Sequence, residues 1–123
     1  MYFENIRPDE IFRQRMNGRG ILIDLRNREE YLKGCIPGAM NIPYEELRQW
    51  IPQLRKMVMQ SSMRTGRAVL IVYCDRGNTS LRAARDLYRE GFRVKNVYGG
   101  IHNYNGPIAR GGESLVDGMG KSR

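Results

Sequence analysis

An unbroken apolar run, Ala68 to Tyr73, stops at Cys74 and passes through a short glycine-containing loop, Asp75 to Thr79, into a helical pattern. A run this short with no polar face has to be covered on both sides, as a central strand of a parallel sheet is. The order strand, thiol, tight loop, helix N-terminus is also a recipe for a thiolate. Loop N–H groups converge on the sulfur, and the positive end of the helix stabilises its charge.

The rest of the chain repeats the alternation. Tyr2–Ile6 reads as a first strand, and Pro8 starts a helical segment with Ile11, Phe12, Arg15 and Met16 at helical spacing and Gly18 as a stop. Ile21–Leu25 is a second buried strand, Arg28–Lys33 a helix closed by Gly34, and Ala39–Ile42 a strand between two prolines. Tyr44 to about Gln60 carries an amphipathic stripe in which Pro52 is expected to break or kink the helix. Ser80–Glu90 is the clearest helix, with Gly91 as its stop, and Val94–Tyr98 is the last strand before Gly99-Gly100. From Gly106 the chain is glycine-rich and polar. The expectation is one domain over residues 1–106 and a flexible tail over 107–123. Four to five strands alternating with helices predict an α/β, three-layer domain with a mostly parallel sheet. Sites in such sheets form at the C-terminal ends of strands. Cys74 stands at one such end, with Asp24 and Arg26 near another.

With 123 residues the chain is long enough to bury a core unaided. Its apolar runs are too short to cross a bilayer, and its first residues lack a basic segment followed by an apolar one. Two cysteines, Cys35 and Cys74, make no disulfide framework, which points to a reduced, cytoplasmic protein. The net charge of +8 draws anions. The arginines are scattered and no interleaved aromatic motif accompanies them, which argues against nucleic acid as the main partner. With a single histidine and two cysteines at unrelated spacing, no metal or cofactor pattern is present.

Two stretches resemble the rhodanese family. ILIDLRNREEYLKGCIPGAMNIPYEEL has a strand ending in Asp-x-Arg, a Glu-Tyr helix, an Ile-Pro-Gly-Ala segment and Asn-Ile-Pro. VLIVYCDRGNTSLRAARDLYREGFRVKNVYGGI has the strand, the Cys-x-x-Gly loop, the alanine-rich helix, a Gly-Phe turn and a strand ending in Gly-Gly-Ile. The resemblance covers about Ile6 to Tyr104. It implies a single-domain sulfurtransferase that takes a sulfane sulfur from thiosulfate or a persulfide-bearing protein, holds it as a persulfide, and passes it to a thiol or other thiophilic acceptor.

By that resemblance Cys74 is the nucleophile, and Asp75, Arg76, Gly77, Asn78, Thr79 and Ser80 form the active-site loop. Gly77 lets the backbone turn with its N–H groups inward. Thr79 or Ser80 is expected to cap the helix and offer a hydroxyl to the sulfur. Arg76 is the loop's one positive side chain, while Asp24 and Arg26 brace the neighbouring strand end. Three positions depart from the family. Asp75 replaces an arginine common directly after the cysteine, and Glu30 stands before Tyr31 where thiosulfate-active relatives carry arginine. Cys35 replaces a usual histidine, either as a small buried residue or as a second thiol able to relay sulfur. His102 is expected to be a loop residue. Phosphatase-type loops need an arginine six residues after the cysteine; here that residue is Ser80. The remaining alternative is a rhodanese-like interaction or sensory module with little catalysis.

Overall fold

The computed structural model describes residues 3–16 and 18–111. Five strands form one sheet: β1 (Glu4–Ile6), β2 (Gly20–Asp24), β3 (Met40–Asn41), β4 (Val69–Tyr73) and β5 (Val94–Val97), in the order β1-β5-β4-β2-β3. Every neighbouring pair runs parallel. β4 lies at the centre, and each of its five residues is buried, as its lack of a polar face requires.

Residues of β4 alternate between two cores. Leu70, Val72 and Cys74 pack with Leu54, Ala83, Ala84 and Leu87, which come from helices α3 (Leu47–Thr65) and α4 (Asn78–Arg89). Val69, Ile71 and Tyr73 pack on the opposite face with Ile11 of helix α1 (Ile11–Met16) and Tyr31 of helix α2 (Arg28–Lys33). The period-2 geometry of a strand thus builds three layers from one apolar run. No helix among the described residues is long and apolar enough to cross a membrane.

Where local signals were strong, the elements fall where expected. Helix α2 spans Arg28–Lys33; the Asn27 side chain accepts from the Glu30 N–H at 2.8 Å, and Gly34 closes the helix. β1 is shorter than read, and Tyr2 lies outside the described residues. Helix α3 is preceded by a 3₁₀ turn, Tyr44–Glu46, and then runs through Pro52 to Thr65 instead of breaking. A proline inside a helix costs about 3 kcal/mol. Leu47 and Leu54 are buried, and Trp50, Ile51, Met57 and Val58 pack against the same core. At about 1.5–3 kcal/mol for each fully buried side chain, that stripe outweighs the lost hydrogen bond.

The beginning of the expected flexible tail is tied down. Ala109 is buried and pairs with Cys35 in an antiparallel bridge, through N–H···O bonds of 2.8 and 2.9 Å, and the Gly111 N–H donates to the Leu32 carbonyl at 2.7 Å. Residues 112–123 lie outside the described residues.

Candidate active site

Strand β4 delivers Cys74 to the C-terminal edge of the sheet, where the loop to α4 turns back over the sulfur. Gly77 makes that turn at φ 106°, in the left-handed region that glycine favours. The Gly77 N–H donates to Cys74 Sγ at 3.1 Å and the Ser80 N–H at 3.2 Å. Gly77 occupies the N-cap position of α4 and has no side chain with which to cap it. The sulfur therefore takes the place of a capping oxygen, accepting an N–H that the helix leaves unpaired.

This corrects the expectation that Thr79 or Ser80 caps the helix. Ser80 lies within its first turn, wholly buried, and its Oγ donates to the Gly77 carbonyl at 3.3 Å. The same oxygen accepts from the Cys74 thiol at 3.4 Å. Thr79 is half-buried and Asn78 exposed beside the sulfur, both lining the cleft.

The loop is also closed from behind. After β5, Gly99 and Gly100 lead into a 3₁₀ turn, Ile101–Asn103. The Ile101 N–H donates to the Cys74 carbonyl at 2.9 Å, and the His102 N–H to the Asp75 carbonyl at 3.0 Å. Gly100 has φ 64°, and a Cβ there would run into those two carbonyl oxygens. The His102 ring is exposed. The Gly-Gly pair was the visible signal of this brace, although its contact with the cysteine loop was not.

Asp24 is fully buried and heavily bonded. Its carboxylate accepts from the Arg26 N–H at 2.9 Å, from the Arg26 guanidinium at 2.8 Å and from the Tyr73 hydroxyl at 2.6 Å. Tyr73 Oη in turn accepts the Ile36 N–H at 3.0 Å. Burial, and then the charge of Asp24, raise the Tyr73 phenol well above its ordinary range. Arg26 also reaches the Gly34 carbonyl. The network knits the end of β2, the residue preceding Cys74 and the 34–36 segment into one unit. Tyr73 escaped the sequence reading because, inside an apolar run, it looks like one more core residue.

Above Cys74 opens a cleft of about 660 Å³ lined by Leu25, Arg26, Glu30, Tyr44, Glu45 and the loop residues Asp75, Arg76, Asn78 and Thr79. Asp75 and Arg76 are both exposed and pair with each other at 3.4 Å. Tyr44 and Glu45 were read only as the start of a helix. Cys35 is buried in the opposite core from Cys74, with the sheet between them, and neither cysteine is in a disulfide. The two thiols thus lie in separate cores and are not joined. No cluster of metal-ligating side chains occurs among the described residues.

Residues 8–106 match the model of the rhodanese-like domain. The chain belongs to the rhodanese-like domain family. It is 33% identical over 91 residues to the thiosulfate:glutathione sulfurtransferase of Homo sapiens, a match covering 70% of this chain and 78% of that protein. It is 28% identical over 93 residues to the tRNA sulfurtransferase of Desulfurococcus amylolyticus, covering 76% of this chain but only 16% of the relative. Among solved structures, reduced Bacillus anthracis CoADR-RHD superposes with a TM-score of 0.68 at 30% identity, over 94% of this chain and 17% of that one. The chain thus spans most of one relative and a small part of the others. The parallel five-stranded sheet flanked by helices is the rhodanese-like fold, and the sulfurtransferase relatives place the domain in a sulfur-transfer family.

Proposed function

We propose that this rhodanese-like domain is a sulfurtransferase that carries a sulfane sulfur as a persulfide on Cys74. The observation that supports this most directly is the pair of backbone N–H groups, from Gly77 and Ser80, aimed at Sγ on the floor of an open cleft. Such donors hold negative charge on sulfur both before and after loading.

The Cys74 thiolate attacks the outer sulfur of thiosulfate or of a persulfide. The donor's sulfur–sulfur bond breaks, and sulfite or the donor thiolate leaves with the electron pair. An acceptor thiolate then attacks the terminal sulfur of the Cys74 persulfide and regenerates the Cys74 thiolate. The human relative's name suggests thiosulfate and glutathione as the first donor and acceptor to try. A reduced compartment such as the cytoplasm fits a free, functional thiol.

The test is intact mass after incubation with thiosulfate and, separately, with a persulfide. Wild type is expected to gain one sulfur, and a Cys74→Ser variant none. If neither donor loads the wild type, the interaction-module reading replaces this one.

A further inference from the structure

Resting on that reading, we infer that the cleft over Cys74 selects its donor by charge. It favours an organic persulfide whose carrier bears an ammonium group and disfavours small dianions such as thiosulfate. Glu30 and Glu45 are the selecting residues.

The whole chain carries a net charge of +8, but the lining of this cleft does not share it. Its charged side chains are Arg26, Glu30, Glu45, Asp75 and Arg76. Arg26 is neutralised by buried Asp24 through contacts of 2.8 and 3.1 Å. Arg76 is matched by Asp75. Behind Tyr44, outside the lining, Arg82 lies over the ring at 5.7 Å, Arg48 is also near, and Asp86 accepts the Tyr44 hydroxyl at 3.0 Å. Two carboxylates remain. Glu45 is exposed, and Glu30 meets exposed Lys33 at 4.0 Å and adds its charge to that of Asp24 beside Arg26. The lining of the cleft therefore carries more carboxylates than arginines inside a positive molecule. The long-range field gathers anions near the surface, while the local charges decide what settles beside the sulfur.

In the favoured reaction the Cys74 thiolate attacks the terminal sulfur of R–S–S⁻. A bond forms between Sγ and that sulfur, the donor's sulfur–sulfur bond breaks, and R–S⁻ departs with the electron pair. Charge balances, with two thiolate-type charges before and after. An ammonium on R lies against Glu30 and Glu45 as R–S⁻ develops. A carboxylate on R, or the sulfonate end of thiosulfate, meets them as like charges.

The experiment compares three donors that differ in charge: the persulfide of cysteamine, the persulfide of 3-mercaptopropionate, and thiosulfate. Initial rates of one-sulfur gain on Cys74 are followed by intact mass at low and high salt. Cysteamine persulfide is expected to load roughly tenfold faster than either dianion at low ionic strength, a ratio that shrinks with salt. The double variant Glu30→Gln/Glu45→Gln is expected to bring the ratio close to one by speeding the dianions, with an unchanged circular-dichroism spectrum showing that it is folded. Dianions that load as fast as the cysteamine derivative, or that slow as salt rises because the global charge governs, overturn the inference. So does a preference that survives the double variant. Both results leave sulfur transfer at Cys74 standing. Wild type that takes sulfur from none of the three overturns the sulfurtransferase reading, and this one with it.

Discussion

Cys74 and Cys35 are almost equally hidden, at 5% and 1% exposure, on opposite faces of one sheet. Around Cys74 the nearest polar groups are backbone N–H donors and a hydroxyl, and a cleft opens above the sulfur. Cys35 shares its core with Tyr31, Tyr73, Ile36, Ala39 and Ala109; its side chain is hydrogen-bonded with Tyr31, and its backbone is paired with Ala109. One environment is arranged for charge on sulfur, the other for packing. Burial alone therefore says little about a thiol's chemistry; the direction of the surrounding dipoles and the existence of an approach path decide it.

The sharpest way to break this comparison is to exchange the losses. Cys74→Ser is expected to abolish sulfur loading while leaving the fold intact. Cys35→Ala should load at the wild-type rate and lose about 1–2 kcal/mol of stability in urea denaturation. Loading lost in the Cys35 variant, with folding unchanged, would sink the distinction.

The packing side depends on Asp24. Asp24→Asn leaves the Arg26 charge uncompensated in a nearly closed setting, so a loss of about 3–5 kcal/mol is expected by chemical denaturation. The chemical side depends on backbone shape. Gly100→Ala puts a methyl group against the carbonyls of Cys74 and Asp75 at a positive φ, with an expected cost of about 2–3 kcal/mol and slower loading.

Alkaline pH separates the two faces again. Burial, then the proximity of Cys35 and Asp24, push the Tyr31 phenol up to about 12, and Tyr73 is raised in the same direction. Below the ordinary tyrosine value near 10 their full contribution to stability is present. Above it the unfolded chain ionises first, so stability should fall as pH rises from about 10 towards 12. Denaturation midpoints across that range measure it, and Tyr31→Phe should flatten part of the slope. The smallest effect expected is that of Ser80→Ala. It removes the hydroxyl's two hydrogen bonds, to the Gly77 carbonyl and from the Cys74 thiol, but keeps both N–H donors, slowing loading about five- to tenfold, equivalent to about 1 kcal/mol.

What could be read from residues alone follows from how local each signal is. Asn27 and Gly34 bracket α2 with their own side chain and turn, and the helix was legible to the residue. Asp24 and Arg26 were legible as a pair because they are two positions apart. The start of α4 was misplaced by two residues, because its cap is a glycine whose role is filled by a sulfur three residues earlier. Tyr73 and the Gly100 brace were not legible as site elements, since their meaning lies in contacts with Asp24 and with the Cys74 carbonyl far along the chain. Pro52 misled for the opposite reason. A local rule was sound, and a buried stripe outweighed it.

The brace from residues 99–103 also sets an order of events. As the chain is made from its N-terminus, the thiol of Cys74 and both residues that donate to it exist well before Ile101 and His102 do. Until that segment docks, the carbonyls of Cys74 and Asp75 lack the N–H partners that hold the loop in shape. A growing chain thus carries the Cys74 thiol early and acquires the completed cradle only once residues 99–103 have been added. The same dependence means that any fragment ending before Gly99 keeps the cysteine and loses the support that shapes its loop.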